Sequence, residues 1–181
     1  MPGPPVTTGF FGKIPAAGDF VSWNLPRAFT ERWDRWMSRD LIEHPCRGPL
    51  DPRAWRFTVP AGIFCDAPCA GVWRMSEDRA GRRYPFLVAR VGPVPHPGDV
   101  WFDEAVSLLE AAIEAQRAMP SLTDRARRLP SDATAVPPRQ IAFWLDDWEV
   151  HEFAFADIHD LAAHGLPRMR APRAATEPVN E

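Results

Sequence analysis

The residues that could do chemistry fall into three groups, and the first is built around Lys13. It stands in the stretch Gly9-Phe10-Phe11-Gly12-Lys13-Ile14-Pro15-Ala16-Ala17-Gly18-Asp19-Phe20, where Gly9, Gly12 and Gly18 permit backbone geometry closed to other residues. Gly12-Lys13 invites comparison with a phosphate-cradling P-loop. That motif needs four residues between its glycines and a Ser or Thr after the lysine. Here two residues separate Gly9 from Gly12 and Ile14 follows Lys13, so the spacing fails. The charge is more informative. The chain has 21 Lys and Arg residues, and Lys13 is the single lysine. An ammonium is a compact point charge that fits where a planar guanidinium cannot. Lys13 is therefore expected to pair with a carboxylate in a tight place, with Asp19 and Asp78 as candidates.

The second group is Ser76-Glu77-Asp78-Arg79-Ala80-Gly81-Arg82-Arg83-Tyr84-Pro85, a polar segment with a turn glycine between two strand candidates. Arg79, Arg82 and Arg83 could grip carboxylates or phosphates with paired donors. Alternatively, Asp78 and Arg82 pin this loop to the Gly9–Phe20 stretch and leave Arg83 exposed.

The third group could hold metal or move protons. His44, Cys46, Cys65 and Cys69 make a Cys₃His set by count, but His-x-Cys and Cys-x₃-Cys are untypical zinc spacings, and Pro68 stiffens the second pair. Buried reduced thiols acting as small apolar residues explain them more simply. Asp146-Asp147, Asp157, His159 and Asp160, or Asp19 with Asp78, could supply acid–base groups if they converged in a cleft. The chain lacks a Gly-x-Ser-x-Gly nucleophile motif, and His151 shares a strand face with Phe153 and Phe155. No catalytic residue, metal or cofactor is assigned. A small hydrolase or phosphate-handling enzyme using Asp19, Asp78 and Arg82, or a zinc-stapled subunit, stands as the alternative to a binding domain.

The elements that must position these groups are legible from hydrophobic spacing. Leu25, Phe29, Trp33, Trp36, Met37 and Leu41 form one helical stripe, with Asn24 as a possible cap and Pro45 beyond the end. A second helix is predicted from Val100 to Met119, capped by Asp99 and stopped by Pro120. Trp55, Phe57 and Val59 alternate with Arg56 and Thr58 as in a half-buried strand. Gly71–Ser76 is another candidate strand. Phe86–Val91 and Ile141–Leu145 are nearly continuous apolar runs, the pattern of strands covered on both faces, with Val150–Phe155 as a partner of the latter. A short helix is expected over Asp157–Ala163. The sum is one α/β domain, a mixed β-sheet with helices on both faces in a three-layer αβα sandwich, spanning residues 9–166 between flexible tails at 1–8 and 167–181. Of the tryptophans, Trp33, Trp36, Trp55, Trp73 and Trp101 fall on apolar faces, whereas Trp23 and Trp148 lie among polar neighbours and could anchor a partner.

Composition narrows the partners. With 21 basic against 24 acidic residues and a net charge of −3, nothing favours nucleic acid or an anionic membrane. No apolar run approaches the roughly 20 residues of a membrane helix, and Met1–Thr8 lacks the features of a signal peptide. Three cysteines, an odd count, fit reduced thiols in a cytoplasm.

The Gly9–Phe20 stretch resembles the opening signature of the TagF (ImpM) family. Leu25-Pro26 with Trp33-Asp34-x-Trp36 is similar to the family's next block. Trp55-Arg56-Phe57, Ala61-Gly62, Ala70-Gly71-Val72 and Ser76-x-Asp78-Arg79-x-Gly81-Arg82-x-Tyr84-Pro85 resemble the third, with Ala80 and Tyr84 as mild departures. The blocks run in order from residue 9 to about residue 91. The resemblance implies a cytoplasmic accessory protein that restrains type VI secretion after translation, by binding a forkhead-associated scaffold protein of that machinery. It marks Gly12, Lys13, Pro15, Gly18, Asp19, Phe20, Trp33, Ser76, Asp78, Arg79, Gly81 and Arg82 as partner-binding or motif residues.

Overall fold

A computed structural model describes residues 6–43, 48–115, 120–130, 135, 137–145 and 151–153. In chain order the elements are β1 (Thr7–Gly12), β2 (Val21–Trp23), α1 (Arg27–Glu43), β3 (Trp55–Val59), β4 (Cys69–Glu77), β5 (Arg83–Val91), α2 (Val100–Glu114), α3 (Pro120–Arg127), β6 (Ile141–Trp144) and β7 (His151–Phe153). The strands form one seven-stranded sheet in the order β2-β1-β5-β4-β3-β6-β7. Every described strand pairing is antiparallel, so the sheet is not the mixed one expected. Continuous apolar runs report burial on both faces, and burial alone does not fix strand direction.

Alternate residues of β5 show that double burial directly. Phe86 and Val88 join a cluster with Trp101, Ala105, Leu108 and Leu109 of α2 and with Leu122 and Ala126 of α3. Leu87, Ala89 and Val91 join a second cluster with Phe29, Trp33, Trp36 and Met37 of α1. The same covering explains β3, which is buried along its whole length. Arg56, read as facing solvent, is instead held by Asp103 of α2, Nη2 to Oδ1 at 3.2 Å.

Several boundaries differ from the sequence reading. Asn24 does not cap α1. It adopts the left-handed conformation (φ 55°) and donates from Nδ2 to the Thr8 carbonyl at 2.8 Å, so the helix begins later, at Arg27. Asp99 does cap α2, its carboxylate accepting from the Trp101 N–H at 2.9 Å. That helix ends at Glu114, and Pro120 opens α3, where its fixed φ suits a first turn. β1 takes in Thr7 and Thr8, placed in a tail by the sequence reading, and makes a strand of the glycine-rich Gly9–Gly12. The glycines mark close backbone approach rather than a loop. His44, Cys46, Asp146-Asp147, Trp148, the Asp157–Ala163 helix and the 167–181 tail lie outside the described residues. No helix among the described residues is long and apolar enough to cross a membrane.

Candidate functional site

Strand pairing brings the two motif segments together. β4 and β5 form a hairpin whose turn is Asp78–Arg82, closed by Asp78 N–H donating to the Arg82 carbonyl at 3.1 Å. β1 runs antiparallel to β5 with Gly12 opposite Phe86. The residue after Gly12 therefore emerges beside the hairpin turn, and that residue is Lys13. Gly12 is required there twice over. Its φ of 132° is closed to side chains, and a Cβ would collide with the Pro85 carbonyl oxygen. Gly81 supplies the left-handed turn position at φ 76°.

Asp78 is the centre of the arrangement, and its side chain is wholly withdrawn from solvent. Oδ1 accepts from Ala80 N–H at 2.9 Å and Arg82 N–H at 3.0 Å, which shapes the turn. Oδ2 accepts from Arg82 Nε at 2.7 Å and pairs with Lys13 Nζ at 3.0 Å. Loss of water pushes this carboxyl up. The Arg82 backbone N–H, the Lys13 and Arg82 side chains and the Ala80 N–H outweigh that and hold it well below the usual carboxylate range. A group held so firmly ionised has no proton to give, so Asp78 is a fixed counter-ion rather than an acid.

The turn is pinned to the 14–18 segment from both sides. Arg82 Nη2 donates to the Gly18 carbonyl and Arg79 Nη2 to the Ala16 carbonyl, each at 2.7 Å, while Arg79 N–H reaches the Ala17 carbonyl at 2.8 Å. Gly18 thus contributes its carbonyl. It is outside the left-handed region, and a side chain there would meet open space, so the conformational role expected of it is absent. Pro15 lies half-buried in the same segment.

Above this latch sits an aromatic rim. Phe20 is 43% exposed. It stacks on Phe11 at 5.4 Å and meets Tyr84 edge-on at 4.7 Å, while Lys13 Nζ lies 5.1 Å from its ring centroid. Tyr84, the single tyrosine of the chain, donates to Asp34 Oδ1 of α1 at 2.9 Å. Burial, then the Asp34 charge, push its phenol well up. Tyr84, Phe11 and the carbonyls of 16–18 were missed as site residues. The lone tyrosine was the available signal, whereas backbone acceptors leave none.

Asp19 is not the partner of Lys13. It is exposed, and its Oδ1 accepts from the Phe20 N–H at 2.8 Å. Nothing described brings it to Asp78 as a dyad. Trp33 is not at the site either. It is fully buried in the α1-side cluster, against Trp36 at 5.2 Å, Phe64 at 5.4 Å and Phe57 at 5.6 Å. Ser76 is buried in β4 beside the turn, its hydroxyl without a hydrogen-bond partner among the described residues. Trp23 is half-buried, stacked on Phe10 at 5.8 Å with the Arg127 guanidinium 5.4 Å from its ring.

No curated protein matches the chain. Among solved structures, the crystal structure of PA0076 from Pseudomonas aeruginosa PAO1 is similar, with 29% sequence identity and a TM-score of 0.58 over 87% of this chain and 76% of that one. The family model described as "TagF N-terminal domain, Type VI secretion system-associated" matches residues 9–129, which takes in both halves of the latch and helices α1, α2 and α3. The chain belongs to the TagF N-terminal domain family.

Proposed function

We propose that the protein is an accessory post-translational regulator of type VI secretion, a cytoplasmic repressor of assembly or firing that binds a forkhead-associated scaffold protein. The observation that carries the reading is the latch. It fuses two motif segments distant in sequence into one surface, with Phe20, Asp19, Arg79 and Arg82 facing outward over the buried Lys13–Asp78 pair. An exposed aromatic rimmed by charges of both signs is chemistry suited to a protein partner. Family membership supports the secretion context. The two helix-bearing core clusters support reading the fold as an αβα sandwich, in which the sheet holds this surface rigid. The domain acts by occupying the scaffold, without catalysis or cofactor.

The test is made in the source bacterium. Removing the protein is expected to raise secretion of type VI effectors, and overproducing it to lower secretion, with transcript levels of the machinery unchanged. Unchanged secretion in both directions would overturn the regulatory reading.

A further inference from the structure

At the other end of β4 lies chemistry that the latch does not use. Cys69 opens β4 and Cys65 sits in the preceding loop, with their sulfurs 3.6 Å apart. The Ala67 carbonyl lies 3.5 Å from Cys65 Sγ and 3.3 Å from Cys69 Sγ. The backbone around them is fixed. Gly62 N–H donates to the Cys65 carbonyl at 2.7 Å, Gly92 N–H to the Pro68 carbonyl at 3.0 Å, and Arg32 Nη1 to the Gly62 and Ile63 carbonyls at 3.0 and 3.2 Å. Cys69 is fully buried, whereas Cys65 retains 9% exposure. Cys65 is thus the more accessible residue of the pair.

We propose that Cys65 and Cys69 are a reversible dithiol–disulfide site, oxidised by a small peroxide and reset by a thiol reductant. Cys65 is the attacking group. The hydrogen bond from Cys69 holds its thiol down to about 6 against the opposing effect of burial, while that bond and burial push Cys69 up. The Cys65 thiolate attacks one peroxide oxygen, the S–O bond forms, the O–O bond breaks, and hydroxide leaves as water after protonation. The Cys69 sulfur then attacks the sulfenic sulfur. The S–S bond forms, the S–O bond breaks, and the departing hydroxide takes the Cys69 proton as a second water. The dithiol has lost two electrons and the peroxide has gained them. Forming the disulfide brings the sulfurs from 3.6 Å to ~2.05 Å.

The test uses the purified full chain, treated with hydrogen peroxide, blocked with iodoacetamide and cleaved with trypsin. Cleavage after Arg56 and Arg74 isolates both cysteines on one peptide, away from Cys46. The expected product is that peptide, unalkylated and lighter by two hydrogens, returning to the doubly alkylated form after a thiol reductant. Recovery of a doubly alkylated peptide, or of an over-oxidised Cys65 beside an alkylated Cys69, would overturn the proposal. A Cys69→Ser variant, checked by its melt, is expected to leave Cys65 as a sulfenic acid captured by dimedone, which wild type does not accumulate. Dimedone capture equal in both would also overturn it. Should the variant not fold, the wild-type peptide map alone decides.

Discussion

The two halves of the motif do different jobs. Lys13 and Asp78 are buried and face each other, while Phe20, Asp19, Arg79 and Arg82 are exposed on the same two segments. A buried ion pair is a poor contact for a partner, because the partner cannot reach it. It is an effective support, because removing one member leaves the other away from water with part of its compensation gone. The exposed half has the opposite character. Phe20 and Asp19 contribute little stability and offer their surface, whereas Arg79 and Arg82 are exposed and also pin the turn. The difference separates residues that build the surface from residues that can touch something, a division that a motif read as a string of letters does not contain.

The comparison can be broken by variants that mix these roles. The largest stability loss is expected outside both halves, at Trp33→Ala. Deleting a fully buried indole packed among Trp36, Phe57 and Phe64 should cost about 3–5 kcal/mol in urea unfolding. A loss near zero would mean that Trp33 is not core. Lys13→Ala should come next, lowering the melting temperature less than Trp33→Ala and more than Phe20→Ala or Asp19→Ala. Lys13→Arg should not restore it, because a planar fork does not fit the site of a 9%-exposed ammonium. Full rescue by arginine would show that charge alone matters there.

Acid should sharpen the same contrast. The folded Asp78 carboxyl is held below its unfolded value of about 3.9, so its contribution is fully present above that pH. It is lost as pH falls below about 4 through the folded value. Urea midpoints measured downward from about pH 5 should fall steeply in wild type and less steeply in Lys13→Ala, where Asp78 has lost one stabilising donor. Parallel curves would remove Lys13 from the account. The smallest stability effect belongs to Phe20→Ala, at most about 1 kcal/mol for a partly exposed ring in a surface aromatic cluster.

Much of this was legible in the residues. A single lysine in an arginine-rich chain pointed to a tight ionic site, and Asp78 occupies it. The apolar runs located β5 and β6, and Asp99 marked the start of α2. Two features were hidden. Glycines 9 and 12 looked like a loop because close backbone packing between strands uses the same residue as a turn. Sheet direction is invisible to a periodicity that reports only burial. Trp33, by contrast, was legible as a core residue from its place on the apolar stripe of α1, even though it also belongs to the motif.

The most direct measurement is calorimetric titration of the purified chain with the forkhead-associated scaffold protein of its own secretion system, using wild type and Phe20→Ala. The account predicts binding by wild type and a loss of about tenfold or more in affinity for Phe20→Ala, equivalent to about 1.4 kcal/mol, with a melting temperature lowered by no more than about 4 °C. No binding by wild type, or equal binding by a Phe20→Ala variant that melts normally, would contradict it.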